Sequence, residues 1–194
     1  MTRFKEKFCN KDLINLIPKF VLIGACSITF IVILVSVTSN CWANSKIHYE
    51  SRGLWKFCHH IDDDPDKAVL CPSINNASVI QIYEKRPPTT PEWIREGYIP
   101  DWLMAVRVVM IMAAVFEFIA IMAAVFTLFI KKFHGYITSI FSSIAFALLL
   151  VGVYLYSDRT NFAVEEYACG VGWGMGFLAV IFSFLSAFIG LCTF

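Results

Sequence analysis

The stretch FVLIGACSITFIVILVSV, residues 20–37, decides the fold class of this 194-residue chain. It carries no charged side chain, and it is long enough to cross a hydrocarbon core of about 30 Å, which takes about 20 helical residues. Similar apolar blocks occupy residues 103–130, 136–156 and 170–191. Because lipid offers no partner to free backbone groups, such continuous runs indicate helices. We therefore predict an all-α membrane protein, residues 1–194, with one domain of four transmembrane helices.

The composition narrows the classes of function. Hydrophobic residues make up 58% of the chain, against about 45–50% in soluble domains, and the excess lies in the four blocks. The net charge of +1, without a large basic cluster, argues against nucleic-acid binding. The chain has no motif of a catalytic triad, a metal site or a phosphate loop, and the blocks lack the polar faces of an aqueous pore. We expect membrane lipids around the protein, no cofactor and no enzymatic activity.

The basic residues predict the orientation in the membrane. The first 19 residues hold five basic and two acidic side chains, and Lys131 and Lys132 lie in the short link between the second and third blocks. By the positive-inside rule these segments face the cytoplasm. We therefore expect a multi-pass plasma-membrane protein with both termini cytoplasmic. Residues 40–101 and 157–169 then form two outer loops.

Four of the seven cysteines lie in the outer loops or at their boundaries, namely Cys41, Cys58, Cys71 and Cys169. An even number of cysteines in an oxidising compartment favours disulfide bonds. Cys58 and Cys71 share one loop and are the expected pair. Cys41 and Cys169 either form a second bridge, if the first and fourth helices are neighbours, or remain two separate buried thiols.

The first outer loop predicts a small antiparallel sheet. Short strands are expected in SKIHYESRGLWKFC, residues 45–58, and in AVLCPSI, residues 68–74, around the turn HHIDDDPDK. His59, His60 and the aspartates of this turn invite a metal site. The spacing lacks zinc-site and EF-hand patterns, so we interpret it as a solvated acidic turn. Asn76 starts an N-glycosylation sequon, and Cys9 and Cys192 are candidates for palmitoylation at the cytoplasmic face.

Glu117 is an ionisable residue in the middle of the second block. An intramembrane acid rarely faces lipid. It is either protonated or hydrogen-bonded inside the bundle, near Ser27, Thr29 or Ser142, or it contacts the transmembrane helix of a partner. The repeated IMAAVF of the same block and the glycines at the start of the fourth indicate close helix packing.

The order of the outer residues resembles the claudin superfamily. Trp42, the Gly53-Leu54-Trp55 triplet, Cys58, Cys71 and finally Arg107 reproduce the pattern W…GLW…C…C…R over the whole four-span layout. This superfamily includes claudins, epithelial membrane and peripheral myelin proteins, and calcium-channel γ subunits. The resemblance implies a left-handed four-helix bundle with a disulfide-bonded outer β-sheet, and Trp55 with its neighbours between the two. An interfacial indole suits that place, since its N–H finds a polar partner.

Two functions follow from the resemblance. The first is a structural protein at cell–cell contacts, acting in adhesion or as a paracellular barrier through association with other claudin-like proteins in cis or in trans. The alternative is an auxiliary subunit that regulates the gating or trafficking of a channel or receptor complex. The second outer loop of only about a dozen residues and the intramembrane Glu117 favour the alternative.

Overall fold

The structure, a computed structural model, describes residues 2–45, 50–60, 69–71, 99–129, 135–160 and 167–192. Within these ranges it contains four long helices. They are α1 (Thr2–Thr38), α2 (Asp101–Phe129), α3 (Tyr136–Thr160) and α4 (Val171–Cys192). All four have segments long and apolar enough to span a membrane, that of α1 being Leu16–Thr38. The prediction of four transmembrane helices is confirmed on this ground, with α1 and α3 longer than the predicted blocks.

The helices pack in a closed ring, in which α1 contacts α2, α2 contacts α3, α3 contacts α4, and α4 contacts α1. Small residues line the contacts of α2, where Ala113, Ala120 and Ala124 are fully buried. In lipid the absence of large side chains lets helix backbones approach closely. The predicted packing role of the IMAAVF repeat agrees with this burial. The left-handed sense of the bundle stays a prediction.

The sheet lies at the end of the bundle where α1 and α3 end and α2 and α4 begin, which we call the sheet end. Its order is β4-β3-β2-β1-β5, and every neighbouring pair is antiparallel. The strands are β1 (Ala43–Ser45), β2 (Glu50–Arg52), β3 (Phe57–His60), β4 (Val69–Leu70) and β5 (Tyr167–Cys169). Four come from the first loop, where a small antiparallel sheet was predicted, but β1 begins before the predicted strand segments and β3 extends into the predicted turn at His59 and His60. The fifth comes from the second loop and pairs with β1, which the sequence did not indicate.

The outward faces of all four helices are apolar. Large side chains on these faces are half or more exposed, among them Phe20, Ile31, Val108, Phe118, Tyr154 and Phe188. A soluble protein does not leave an apolar surface of this extent in water. Contact of these faces with membrane lipid explains the pattern, and the chain fits a multi-pass membrane protein.

Candidate functional site

Trp42 fills the junction between the sheet and the bundle. It follows the end of α1 and precedes β1, and its side chain is fully buried. Its indole Nε1 donates a hydrogen bond of 2.7 Å to the carbonyl oxygen of Ser36, in the last turn of α1. A Cβ atom at Gly172 would collide with the indole ring. The last turns of a helix leave carbonyl groups unpaired, so this bond anchors the first strand to α1.

The Gly53-Leu54-Trp55 triplet forms a tight turn over the same junction. The N–H of Gly53 donates to the carbonyl of Lys56 across the turn at 2.9 Å. A Cβ at Gly53 would lie 2.7 Å from backbone atoms of Asn40, so only glycine permits this close approach. Leu54 is fully buried in the main hydrophobic cluster. The Trp55 indole Nε1 donates to a second carbonyl of the last turn of α1, at 2.8 Å.

Arg107 connects this turn to α2. Its side chain is only 2% exposed. Its Nε donates to the carbonyl oxygen of Leu54 at 2.8 Å, and its guanidinium carbon lies 4.7 Å from the centre of the Trp55 ring. A desolvated cation over an indole face is a favourable contact. The structure therefore brings together five of the seven motif residues, namely Trp42, Gly53, Leu54, Trp55 and Arg107. Arg107 binds the turn from the side of the helix bundle.

Tyr156 and Arg52 belong to the junction, although the sequence analysis did not single them out. The Tyr156 hydroxyl donates to the carbonyl of Arg52 at 3.3 Å, and its ring centre lies 4.8 Å from that of Trp42. Tyr156 stands near the end of α3 and is almost fully buried. A tyrosine near the outer end of a membrane block could have indicated a junction residue, because a buried phenol needs a hydrogen-bond partner for its O–H.

The two remaining motif residues form the predicted disulfide bond. Cys58 on β3 is joined to Cys71, directly after β4. Because β3 and β4 are paired strands of the sheet, the bond closes the sheet at that edge. It constrains the unfolded chain by closing a loop.

A second bridge between Cys41 and Cys169, one of the two predicted alternatives, is wrong. Both cysteines are free, although they lie near each other. Cys169 stands opposite Ala43 in the β1–β5 pairing, so Cys41 is two residues out of register with it. The Cys41 thiol instead donates to the side chain of Asn44 at 2.8 Å. The alternative of two buried thiols is wrong as well, since Cys41 is half-buried and Cys169 is exposed.

Glu117 lies near the midpoint of α2 and is fully buried within the bundle. Its Oε1 is 3.5 Å from the hydroxyl of Ser142 on α3, and its Oε2 is 3.3 Å from that of Ser183 on α4. The predicted placement inside the bundle near Ser142 is confirmed. Contact with the helix of a partner is excluded for this orientation, because the carboxyl group faces its own bundle.

Small polar residues from the other three helices contact the Glu117 carboxyl group or lie one helical turn from a residue that does. They come in pairs three positions apart, namely Cys26 and Thr29, Ser139 and Ser142, and Ser183 and Ser186, and all are buried. The hydroxyls of Thr29 and Ser186 lie 3.2 Å apart. Residues three apart share one face of a helix. The spacing of Ser183 and Ser186 therefore indicates a polar face of α4, which the sequence analysis did not include. We call Glu117 and these six residues the polar cluster.

Several predicted sites lie outside the described residues. Asn76 falls there, as do the aspartates of the acidic turn, and the side chains of Cys9, His59 and His60 are also outside. Cys192 is the last residue of α4 and is exposed. Among the described side chains, no group of three His, Cys, Asp or Glu residues could hold a metal ion.

Gly172 and Gly176 of α4 serve packing inside the chain, whereas Gly174 does not. Beyond the Trp42 contact of Gly172, a Cβ at Gly176 would lie 3.1 Å from the hydroxyl of Ser36, whereas Gly174 faces open space. The junction thus consists of a buried aromatic and guanidinium network that joins a disulfide-bonded sheet to all four helices. No protein-family model matches the chain, and no curated protein matches its sequence.

Proposed function

We propose that this chain is a claudin-like structural protein of the plasma membrane that acts at cell–cell contacts through its outward sheet. One observation carries the proposal. The sheet is joined to the membrane bundle by buried contacts from Trp42, Trp55 and Arg107. A surface held rigidly in its binding conformation loses little conformational entropy when it meets a partner. Such a sheet suits recognition of another protein outside the membrane.

The orientation of the sheet follows from charge and redox chemistry. The Cys58–Cys71 disulfide belongs to an oxidising compartment. The helix ends opposite the sheet carry the basic N-terminal segment in the sequence, which favours the cytoplasm. The sheet then faces the outside of the cell, Asn76 enters the secretory lumen, and Cys9 and Cys192 are within reach of cytoplasmic palmitoylation. The implied bundle is left-handed.

The partners we propose are other claudin-like proteins, including further copies of this chain, in cis or in trans. The resemblance of the W…GLW…C…C…R residues supports this choice, and five of these residues meet at the junction that holds the sheet on the bundle. The activity that we propose for the sheet is protein binding.

A cell-aggregation assay tests the proposal. Suspended cells without adhesion proteins of their own are made to express the chain with either a red or a green tag, and then mixed. We expect aggregates that contain both colours and leave out untransfected cells. Aggregation no greater than that of untransfected cells would contradict trans association.

Two glycine variants test whether aggregation depends on the position of the sheet. Gly53→Ala forces a Cβ against the backbone at 2.7 Å, whereas Gly174→Ala adds one where nothing lies within 4 Å. At equal amounts on the cell surface, we expect Gly53→Ala to reduce aggregation and Gly174→Ala to preserve it. Equal aggregation by both variants would show that adhesion does not depend on the position of the sheet.

The short second loop favours a second candidate function. The helix α3 runs to Thr160 and β5 begins at Tyr167, so residues 161–166 alone connect them. This leaves less outer surface for contact across a cell gap than two long loops would. An auxiliary subunit would instead bind a channel or receptor laterally, through its apolar helices and sheet. Native purification after mild crosslinking tests this function, and recovery of the chain without any channel or receptor would contradict it.

A further inference from the structure

Glu117 is surrounded by groups that do not neutralise a negative charge. The basic residues of the four described spans are Lys19, Arg107 and Arg159. Lys19 donates to a backbone carbonyl near the end of α2, Arg107 to the carbonyl of Leu54, and Arg159 pairs with its exposed neighbour. Within the described helices, the titratable group that faces Glu117 is the Cys26 thiol on α1, and α3 and α4 present hydroxyls. An ionised carboxylate without a cation is unfavourable in such a place.

The groups that face Glu117 offer few protons to an ionised carboxylate, namely the hydroxyls of Ser142 and Ser183 and the weakly donating thiol of Cys26. A serine hydroxyl donates one hydrogen bond. The hydroxyl of Ser183 lies 2.9 Å from the carbonyl oxygen of Ser142, and 3.3 Å from Oε2 of Glu117. Its single proton goes to the nearer acceptor. The contact between Oε2 and Ser183 then needs a proton from Glu117 itself.

The distances lead to the same assignment. A hydroxyl that donates to an ionised carboxylate shortens to about 2.5–2.7 Å. The two hydroxyl contacts of Glu117 measure 3.5 and 3.3 Å. Neither contact is therefore the short bond that a hydroxyl forms with an ionised carboxylate.

We propose that the polar cluster is an intramembrane proton-binding site, in which Glu117 holds the proton at Oε2. Glu117 donates to the hydroxyl of Ser183, Ser183 donates to the carbonyl of Ser142, and the hydroxyl of Ser142 donates back to Oε1 of Glu117. This closed circuit of three hydrogen bonds joins α2, α4 and α3, and each bond uses one proton. Loss of the bound proton breaks the circuit and leaves a charge at the centre of the bundle. The packing of these three helices therefore depends on protonation.

Infrared spectroscopy of the purified protein in lipid tests the proposal. At about pH 8, exposed Asp and Glu side chains are ionised, and their protonated-acid C=O band is absent. We expect wild-type protein to keep one such band, which shifts in D₂O and disappears in Glu117→Gln. A spectrum of folded wild-type protein without this band would overturn the assignment, and this arm needs no variant.

Three variants separate the proton from simple packing. Glu117→Gln retains one donor and one acceptor and should keep the thermal midpoint of wild type. Glu117→Leu keeps the size but removes both, and Ser183→Ala interrupts the circuit, so each should lower the midpoint by several degrees. We expect wild type, but not Glu117→Gln, to lose thermal stability when the pH is raised far enough to remove the acid band. Identical pH dependence of the two proteins would refute the site.

Discussion

Arg107→Ala should weaken the attachment of the sheet more than any other single loss of charge at the sheet end. Arg107 is nearly fully buried, donates to the Leu54 carbonyl at 2.8 Å and lies over the Trp55 ring at 4.7 Å. Alanine removes the donor and the cation together. The Leu54 carbonyl is then left without this partner in a water-poor junction, while α2 keeps its helical backbone.

The expected loss can be worked from these two contacts. A buried hydrogen bond to a charged donor contributes about 1.5–3 kcal/mol. A desolvated cation–π contact adds about 1–2 kcal/mol. We expect Arg107→Ala to lower the free energy of unfolding by about 3 kcal/mol, which corresponds to about 6–12 °C for a chain of this size. Arg107→Lys keeps the charge but not the planar guanidinium, and should lose about half as much.

Thermal unfolding in detergent micelles measures this loss, with the tryptophan fluorescence of the junction as the signal. Arg159→Ala is the matched control. Arg159 lies near the same end of the bundle, but its side chain is 59% exposed and its ion pair measures 3.8 Å, so its removal should leave the midpoint nearly unchanged. Equal midpoints for wild type, Arg107→Ala and Arg159→Ala would refute the role assigned to Arg107.

Three further variants test other parts of the sheet and of its junction with the bundle. Gly53→Ala should lower the thermal midpoint because its Cβ meets the backbone at 2.7 Å, whereas Gly174→Ala has open space and should not; equal midpoints would contradict this. Cys71→Ser removes the disulfide and should cost about 3 kcal/mol; we expect faster proteolysis of the sheet and a gel mobility that no longer responds to reductant. Trp42→Phe loses the bond to α1 and should cost about 1–2 kcal/mol, and an unchanged midpoint would show that this bond is not needed.

The helices and the disulfide could be predicted because their causes are local in the sequence. An apolar run as long as residues 20–37 has few alternatives in a membrane. Cys58 and Cys71 share one loop, and their strands are neighbours. In both cases the composition of one segment determines the outcome.

The strand pairing of the second loop could not be predicted in this way. The strand β5 has three residues and pairs with β1, more than 120 positions earlier in the sequence. Its register depends on how the ends of α1 and α4 meet, through the Gly172 N–H bond to the Cys41 carbonyl. That register places Cys169 opposite Ala43, so Cys41 and Cys169 do not form the bridge that was one of the two predicted alternatives, although they lie near each other.

The orientation of the Glu117 side chain could not be predicted either, because it depends on how the helices pack. The sequence left contact with its own bundle and contact with a partner open, because the rotation of α2 is determined by all three other helices. The fully buried carboxyl resolves this choice. It also removes one of the two sequence features that favoured an auxiliary subunit.

The distribution of the chain at contacts between cells tests the proposed function most directly. Cells that express red-tagged protein are grown with cells that express green-tagged protein and with untransfected cells. Only red fluorescence is measured, at red–green and at red–untransfected contacts, so a doubled membrane cannot produce a false signal. Trans association predicts more red protein where both cells express the chain. Equal red intensity at the two kinds of contact would contradict it.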